Sequence, residues 1–298
     1  MFSLAAFSAM PPDQRYFASV SEITNYNSTV ASQSAPAGLP GGQPGITAGQ
    51  QALAAAQSAS LQWFNQVYPA SLNVPQTIVS EAGSITSGLS ELTSVASQYA
   101  ADPGNSQLQT ALTNAANSLA GQVQTLQSSC ATLSTSLAGY SGALQSVAQQ
   151  LGNAIGALQA TMSSLQAQLN NDLGNLDSLE HATCPNSGDI NAAQQVVQTD
   201  QGYLQATYQF LNQLNNFGQN ANGALAGLSY LAGTWTQLAS IAGSSLSALQ
   251  QISNQPAVVV QLDLSQASQA WQSLVDRLSS ITQLAAQAQA KAEAVSAS

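Results

Sequence analysis

Apolar residues recur every three or four positions along most of the chain, which is the spacing of one face of an α-helix. The clearest run predicts a single helix from about 106 to 181, because the spacing continues through Gly139 and Gly142, where a hairpin would otherwise be natural. At 1.5 Å per residue such a helix is about 110 Å long, and it needs long partner helices. Its predicted inward face includes Leu108, Leu112, Ala115, Leu119, Val123, Leu126, Cys130, Leu133, Leu137, Tyr140, Leu144, Val147, Leu151, Ile155, Leu158, Met162, Leu165, Leu169, Leu173, Leu176 and Leu179.

Three further helices are predicted from the same pattern. One runs from Ile46 to about residue 100, with a kink or short break at Pro69 and Pro75, since proline lacks a backbone donor. Another runs from about 190 to 253, with two heptad seams, and the last runs to about 294. The first seam holds Leu204, Leu211, Gly218, Leu225, Ala232, Ala239 and Leu246; the second holds Thr207, Leu214, Ala221, Leu228, Trp235, Ala242 and Leu249.

The predicted connections are short. The turns are expected at 102–105 and 182–188, with Ser106 and Asp189 as the N-caps of the helices that follow. The run 257–260 reads as a short strand or an extended connector, and Asp263 or Ser265 caps the last helix, whose inward face holds Trp271, Leu274, Leu278, Ile281 and Leu284.

These elements predict an all-α fold, an elongated, coiled-coil-like antiparallel bundle of four to five long helices over residues 47–298. Residues 1–46 are expected to form an irregular N-terminal arm, because the stretch from Ser34 to Gly45 is rich in Pro, Gly and Ser. The aromatic residues Tyr16, Phe17 and Tyr26 are expected to attach this arm to the bundle.

Charge is scarce in this chain. Only 5% of its 298 residues are charged, the net charge is −10, and residues 23–80, 103–171 and 201–262 contain no Asp, Glu, Lys or Arg. With three basic residues the chain lacks the cationic surface that nucleic acids require, so no nucleic-acid partner is expected. A helix face of Ser, Gln and Ala leaves water at much lower cost than a charged face, which favours helices that change their surroundings.

No catalytic, metal or cofactor site is expected from the residue types. His181 and Cys184 supply too few ligands for a metal, and Asp172, Asp177 and Glu180 lack an adjoining base, so we interpret them as solvated surface groups. Cys130 and Cys184 are expected to be free thiols, because one long helix holds them too far apart to pair.

The N-terminal segment MFSLAAFSAMPP has a short apolar stretch without a basic leader, which makes it a poor signal peptide. No run of about 18 apolar residues predicts a constitutive membrane span.

Small residues mark the candidate functional surface. Gly223 and Gly227 lie four apart in an uncharged segment that ends at Trp235, and Gly152 and Gly156 repeat the spacing on the other long helix. Such residues let helices approach closely, either in tight bundle packing or in a membrane-inserting face. The three tryptophans, Trp63, Trp235 and Trp271, are expected to be buried, with lipid anchoring as the alternative.

The order of these landmarks resembles the α-helical pore-forming toxins of the cytolysin A, haemolysin BL and non-haemolytic enterotoxin type. The resemblance spans roughly residues 47 to 290 and rests on Trp63-x-x-x-Val67-x-Pro69, on Leu231-x-x-x-Trp235-x-x-Leu238 and on the closing helix around Trp271. It implies a toxin, or one component of a multi-component toxin, that is secreted or released and is soluble before it associates with a membrane. Such a protein binds a target membrane or related helical subunits, rearranges its helices and oligomerises. The residues expected to repack are Gly223, Gly227, Trp235, Gly152 and Gly156.

The chain departs from that family at one point. Members usually insert a long hydrophobic tongue between two long helices, whereas the connector at 182–188 is short and polar. This suits a subunit whose partner supplies the tongue, or a relative that uses the bundle differently. The alternative function is a structural or surface-associated coiled-coil protein without lytic activity.

Overall fold

The computed structural model describes residues 12–184, 186–252, 264–276 and 278–279. Their helices are α1 (Pro12–Ala31), α2 (Pro44–Gln62), a π-helical turn (Trp63–Val67), α3 (Tyr68–Ala101), α4 (Ser106–Glu180), α5 (Ser187–Ile252) and α6 (264–276). No strand occurs among these residues, and the predicted all-α bundle is confirmed. The predicted connector at 257–260 and the end of the last helix lie outside the described residues.

The N-terminal region differs from the prediction. The expectation that residues 1–46 are irregular is wrong for Pro12–Ala31, which form the 20-residue helix α1. Residues at helical spacing on α1 are buried, namely Tyr16, Val20, Ile23, Tyr26 and Val30. Packing of this face stabilises the helix, whereas the Pro- and Gly-rich composition that suggested an arm is confined to the turn between α1 and α2. Tyr16 and Tyr26 are buried as expected, and Phe17 is half-buried.

Helix α4 is the single long helix that the spacing predicts, ending one residue earlier, at Glu180. Its apolar face is buried from Leu112 to Leu169, but Leu173 is 41% exposed and no described residue from 170 to 196 is buried. Ala116, Ala154 and Thr161 are buried in place of their predicted neighbours Ala115, Ile155 and Met162.

Helix α5 confirms one of its two predicted seams. The seam from Thr207 to Leu249 is buried at every position. Of the other predicted seam only Leu211 and Leu246 are buried, and the continuous buried seam lies one residue earlier, at Phe210, Phe217, Ala224, Leu231, Leu238, Ser245 and Ile252. Together the two seams alternate steps of three and four without interruption over 46 residues, counted from Thr207 to Ile252, which is the pattern of a coiled-coil helix. The predicted seam followed the leucines at 204, 211 and 225, whereas the continuous buried seam also contains phenylalanine, alanine and serine.

The chain divides into two compact units. Unit 1 comprises Met1–Glu22, Phe64–Tyr140 and Ala226–Ser298, and unit 2 comprises Ile23–Trp63 and Ser141–Leu225. In unit 1, Ser134 of α4 hydrogen-bonds Thr236 of α5 at 2.9 Å. In unit 2, Gln168 of α4 hydrogen-bonds Asp200 of α5 at 3.1 Å.

Within each unit α4 and α5 are antiparallel, as predicted. Gly243 of unit 1 faces Gln127, seven residues before Ser134, and Gly218 of unit 2 faces Ile155, which precedes Gln168. Within each unit, the residue numbers of the contacting positions on α5 therefore increase as those on α4 decrease. No charged pair is among these contacts.

Asparagine, not the predicted residues, caps the two long helices. The side-chain oxygen of Asn105 accepts hydrogen bonds from the backbone N–H groups of Gln107 and Leu108, so Ser106 is the first helical residue instead of the N-cap. Asn186 accepts in the same way from the N–H of Gly188, and the helix starts before Asp189, which lies in its first turn. Both asparagines satisfy amide donors that a helix start leaves unpaired.

The interruption predicted near Pro69 takes the form of the π-helical turn, whereas Pro75 lies inside α3. A π-turn widens the helix by one residue, and such turns are a known response to a local conflict in the hydrogen-bond ladder. Pro69 contributes to that conflict, because it cannot donate to the carbonyl of Asn65 four residues earlier.

Both cysteines are free thiols. Cys130 is buried in the α4 seam of unit 1, and Cys184 is exposed after the end of α4. Burial raises the pKa of the Cys130 thiol to about 12. Across the described residues, no helix combines the length and the hydropathy that a membrane crossing requires.

Two glycine-to-alanine substitutions test the helix packing of unit 2. A Cβ at Gly45 would overlap the backbone oxygen of Ala157, whereas one at Gly142 would meet nothing within 4 Å. We expect Gly45→Ala to destabilise the protein by about 1–3 kcal/mol through overpacking. We expect Gly142→Ala to stabilise it by about 0.5–1 kcal/mol, because alanine favours a helix interior. Urea unfolding followed by circular dichroism measures both, and equal effects of the two substitutions would contradict the packing of α2 on α4.

Candidate functional site

A proline creates the polar centre of unit 1. Pro75 has no N–H, so the carbonyl of Ser71, four residues earlier in α3, lacks its usual helical donor. The hydroxyl of Tyr16 on α1 donates to this carbonyl at 3.0 Å in a buried position. A buried carbonyl without a donor is costly, so this contact selects the position of α1 beside α3.

The same hydroxyl also joins α1 to α5. The indole N–H of Trp235 donates to the Tyr16 oxygen at 3.2 Å, and the two rings meet edge to face with centroids 6.3 Å apart. Both side chains are at most 1% exposed. Burial raises the pKa of the Tyr16 phenol, with a smaller opposing effect from the Trp235 hydrogen bond. The hydroxyl therefore stays protonated and links three helices, from Trp235 through Tyr16 to Ser71.

Close backbone approach completes the packing of α1 on α5. A Cβ at Gly227 would lie 3.3 Å from both Cα and Cβ of Ser19, so only a very small residue fits there without displacing α1. Nearby, the Arg15 guanidinium carbon lies 5.9 Å from the centre of the Tyr230 ring, within range of a cation–π interaction. We call these contacts, made by Arg15, Tyr16 and Ser19 of α1 with Gly227, Tyr230 and Trp235 of α5, the α1–α5 contact.

The structure brings together two of the five glycine and tryptophan residues that the sequence singled out. Gly227 and Trp235 both contact α1 in unit 1. Gly223 is half-buried in unit 2, and Gly152 and Gly156 of the same unit are exposed, with nothing within 4 Å of an added Cβ. Tight packing therefore accounts for Gly227 and not for Gly152 or Gly156.

All three tryptophans are buried, as expected from packing, and each indole N–H has a hydroxyl acceptor on another helix. Besides Trp235, Trp63 donates to Thr24 at 3.3 Å within unit 2, and Trp271 donates to Thr86 at 3.1 Å within unit 1. Leu274 and Leu278 are buried beside Trp271, as predicted for the last helix. The tryptophans thus act as neutral, satisfied core residues in this conformation.

The residues considered for a metal or acid–base site differ in exposure: Asp172 is half-buried, whereas Asp177, Glu180, His181 and Cys184 are exposed. Asp172 is therefore not the solvated surface group that the sequence predicted. His181 pairs with Asp177 at 3.3 Å, and both side chains are about three-quarters exposed. The hydrogen bond to the Asp177 backbone, followed by the Asp177 charge, raises the pKa of His181. Among the described residues, no three His, Cys, Asp or Glu side chains come together as metal ligands would.

Sequence reasoning missed Ser71, Ser19 and Arg15. The available signal was the proline at 75, because it implies a carbonyl at 71 that needs a donor from outside its own helix. The side chain that supplies the donor is set by the path of α1. The sequence did not predict that residues 12–31 form a helix, so it could not identify Tyr16 as the donor.

Comparison with known proteins identifies the fold. No family model matches the sequence, and no curated protein matches it. Among solved structures, YaxA from Yersinia enterocolitica is similar with a TM-score of 0.63 and 12% identity, over 93% of this chain and 99% of that one. A chain of the XaxAB pore complex from Xenorhabdus nematophila has a TM-score of 0.63 and 10% identity, over 92% and 98%.

A third similar structure is the AhlB pore of the tripartite α-pore-forming toxin AHL from Aeromonas hydrophila, with a TM-score of 0.55, 15% identity, and coverage of 88% and 97%. These similarities confirm the resemblance to α-helical pore-forming toxins at the level of the fold.

A double-mutant cycle tests the link between Pro75 and Tyr16. We expect Tyr16→Phe to lower the free energy of unfolding by about 1–3 kcal/mol, because the Ser71 carbonyl and the Trp235 N–H both lose a buried partner. Pro75→Ala restores a helical donor to Ser71, so Tyr16→Phe should cost less in that background. Urea unfolding measures all four proteins.

The exposed hydroxyl of Tyr208 provides the control, since Tyr208 is 55% exposed. Tyr208→Phe should change the free energy of unfolding by less than about 0.5 kcal/mol. Additive effects of Tyr16→Phe and Pro75→Ala would show that the Tyr16 hydroxyl does not replace the donor that proline lacks.

Proposed function

We propose that this chain is an α-helical pore-forming toxin, or one component of a multi-component toxin, that is released and binds a target membrane or related helical subunits. The observation that carries the proposal is the fold, which YaxA and the XaxAB pore complex share over more than nine-tenths of this chain. The similar structures include the pore of one component of a tripartite toxin and a pore complex, which supports assembly with further subunits.

The physical properties of the helices support a change of partners. The long stretches 103–171 and 201–262 carry no charge, so the faces of α4 and α5 within them avoid the cost of about 2.5–3.5 kcal/mol for each charged residue placed at a membrane centre. Apart from the Arg15 guanidinium on the Tyr230 ring, the contacts between helices described for unit 1 join neutral hydroxyl, indole and carbonyl groups, as between Ser134 and Thr236. The neutral contacts re-form with a new partner without leaving an unpaired charge.

The α1–α5 contact is the part of unit 1 that we propose to open. It depends on one glycine and a two-step hydrogen-bond chain, so separation exposes Trp235, Tyr16 and the Gly227 backbone together. These are a large aromatic pair and a flat helix surface, features that suit close packing against another subunit or lipid. Gly223, Gly152 and Gly156 offer further small surfaces for the same repacking. The protein has no enzymatic role in this proposal.

Leakage of dye-loaded vesicles and lysis of red cells test the function directly. We expect the pure protein, alone or together with helical proteins encoded beside its gene, to release dye and to form oligomers in lipid. Absence of leakage and of lipid-dependent assembly in every combination would overturn the proposal. Stable self-association without lipid, measured by light scattering, would support the structural coiled-coil protein instead.

An engineered disulfide tests whether α1 must leave α5. A Cβ at Gly227 would lie 3.3 Å from the Cβ of Ser19, slightly less than the roughly 3.5–4.5 Å found in disulfides, so Ser19→Cys with Gly227→Cys should cross-link on oxidation once α1 shifts by a few tenths of an ångström. Cys184→Ser removes the exposed native thiol. We expect oxidation to abolish leakage and reduction to restore it.

The matched controls are the two single-cysteine proteins. Because Gly227→Cys itself displaces α1 slightly, each control is compared with and without the oxidant, which should leave its leakage unchanged. Full leakage by the cross-linked protein would show that pores form with the α1–α5 contact closed.

A further inference from the structure

Asp200 is an unusual residue in this chain. It lies on α5 in unit 2 and is only 2% exposed, although the chain has just 13 acidic residues and charged side chains are rarely fully buried unless paired. Its Oδ1 accepts a hydrogen bond from the Gln168 amide at 3.1 Å, whereas its Oδ2 is buried without a partner. A buried acceptor of this kind needs an explanation.

The neighbour of Asp200 is a second carboxyl group. Asp172 lies one helical turn beyond Gln168 on α4, and therefore on the same face, and its side chain is within hydrogen-bonding range of Asp200. Two carboxylates have no hydrogen to share, so they repel one another. A single proton between them converts this repulsion into a strong hydrogen bond.

No cation replaces that proton. The segments of unit 2, residues 23–63 and 141–225, contain no Lys or Arg. Within unit 2, the titratable groups on α4 besides Asp172 are Asp177 and Glu180, and those on α5 nearest to Asp200 are Tyr203 and Tyr208, with Asp189 nearer the start of the helix. Helix α2 and the turn before it, residues 32–62, carry no titratable side chain, and the exposed His181 is paired with Asp177.

We propose that Asp172 and Asp200 form a proton-dependent clamp between α4 and α5, closed when the two carboxyl groups share a proton and loosened when both are ionised. This inference concerns the packing of unit 2 and does not require that the protein form pores. The residues beyond the clamp give it a clear consequence, because none of the described residues from 170 to 196 is buried. Asp200 and the buried Val197 next to it are therefore the last well-packed residues of α5 before this exposed hairpin.

The direction of the pH dependence follows from the burial of Asp200. Desolvation raises the pKa of this carboxyl, and the neighbouring Asp172 raises it further, against a smaller opposing effect of Gln168. The folded state therefore holds the proton to a higher pH than the unfolded chain does. The contribution of the clamp is complete below the ordinary aspartate pKa of about 3.9 and is lost as the pH rises through the raised pKa of the folded state.

Hydrogen exchange of the full-length protein tests the clamp. Asp200→Asn imitates the protonated carboxyl, because its oxygen still accepts from Gln168 and its amide donates to Asp172 at every pH. The measured quantity is the ratio of exchange rates between variant and wild type in peptides covering 164–172 and 197–204, at pH 4 and pH 7.5. We expect a ratio near one at pH 4. At pH 7.5 the variant should exchange more slowly by a factor of about five or more. A factor of about five corresponds to the lower end of the free-energy cost of leaving a buried carboxylate without a hydrogen-bond partner.

Two further variants keep the test decisive. Asp172→Asn places a donor beside Asp200 from the other helix, so it should also slow exchange at pH 7.5, and it reports on the clamp even if Asp200→Asn does not fold. Glu91→Gln removes one charge from an exposed site on α3 in unit 1, and its ratio should be the same at both pH values. A pH-independent ratio for both clamp variants, or an equal pH effect in Glu91→Gln, would overturn the proposal.

Discussion

The hydroxyl of Tyr16 supplies the hydrogen bond that Pro75 removes from α3, and the packing of unit 1 depends on this substitution of a donor. A helix that contains a proline leaves one carbonyl unpaired, and in a buried position that carbonyl must find a partner elsewhere. Tyr16 provides it and in turn accepts from Trp235, so one oxygen fixes the relation of α1, α3 and α5. A local defect of one helix thereby specifies the arrangement of three.

Neutral side chains make several of the hydrogen bonds between helices, where other proteins use ion pairs. The pairs Trp63–Thr24, Trp271–Thr86 and Ser134–Thr236 join different helices through hydroxyls. Neutral hydrogen bonds are weaker than charge-assisted ones, but breaking them exposes no charge to an apolar environment. Contacts of this kind define the packing, and exchanging them for new ones does not require an unpaired charge to be buried. The charge-bearing groups among the interhelical contacts described above are Arg15, on the Tyr230 ring in unit 1, and Asp200, which is buried where unit 2 meets its exposed hairpin.

Periodicity predicted most of the fold, because the long helices α4 and α5 bury continuous faces whose spacing is visible in the sequence. It failed for α1, where the Pro- and Gly-rich turn dominated the composition of a region that is mostly helical. It also could not decide which glycines are in contact. Gly227 and Gly156 each end a Gly-x-x-x-Gly spacing. Of these two, only Gly227 contacts another helix, and that contact depends on tertiary packing. The partners of Tyr16 and Asp200 were inaccessible for the same reason, since each lies on a distant part of the chain.

The two cysteines differ in exposure, so their reactions with a thiol reagent report how often the core of unit 1 opens. Cys184 is exposed and reacts with a thiol reagent at once, whereas Cys130 is enclosed in the α4 seam with its thiol kept protonated. Only thiolates react efficiently, so modification of Cys130 waits for water to enter the core of unit 1. The delay between the two reactions is then a direct record of how often that core opens, in a chain that needs no added label to show it.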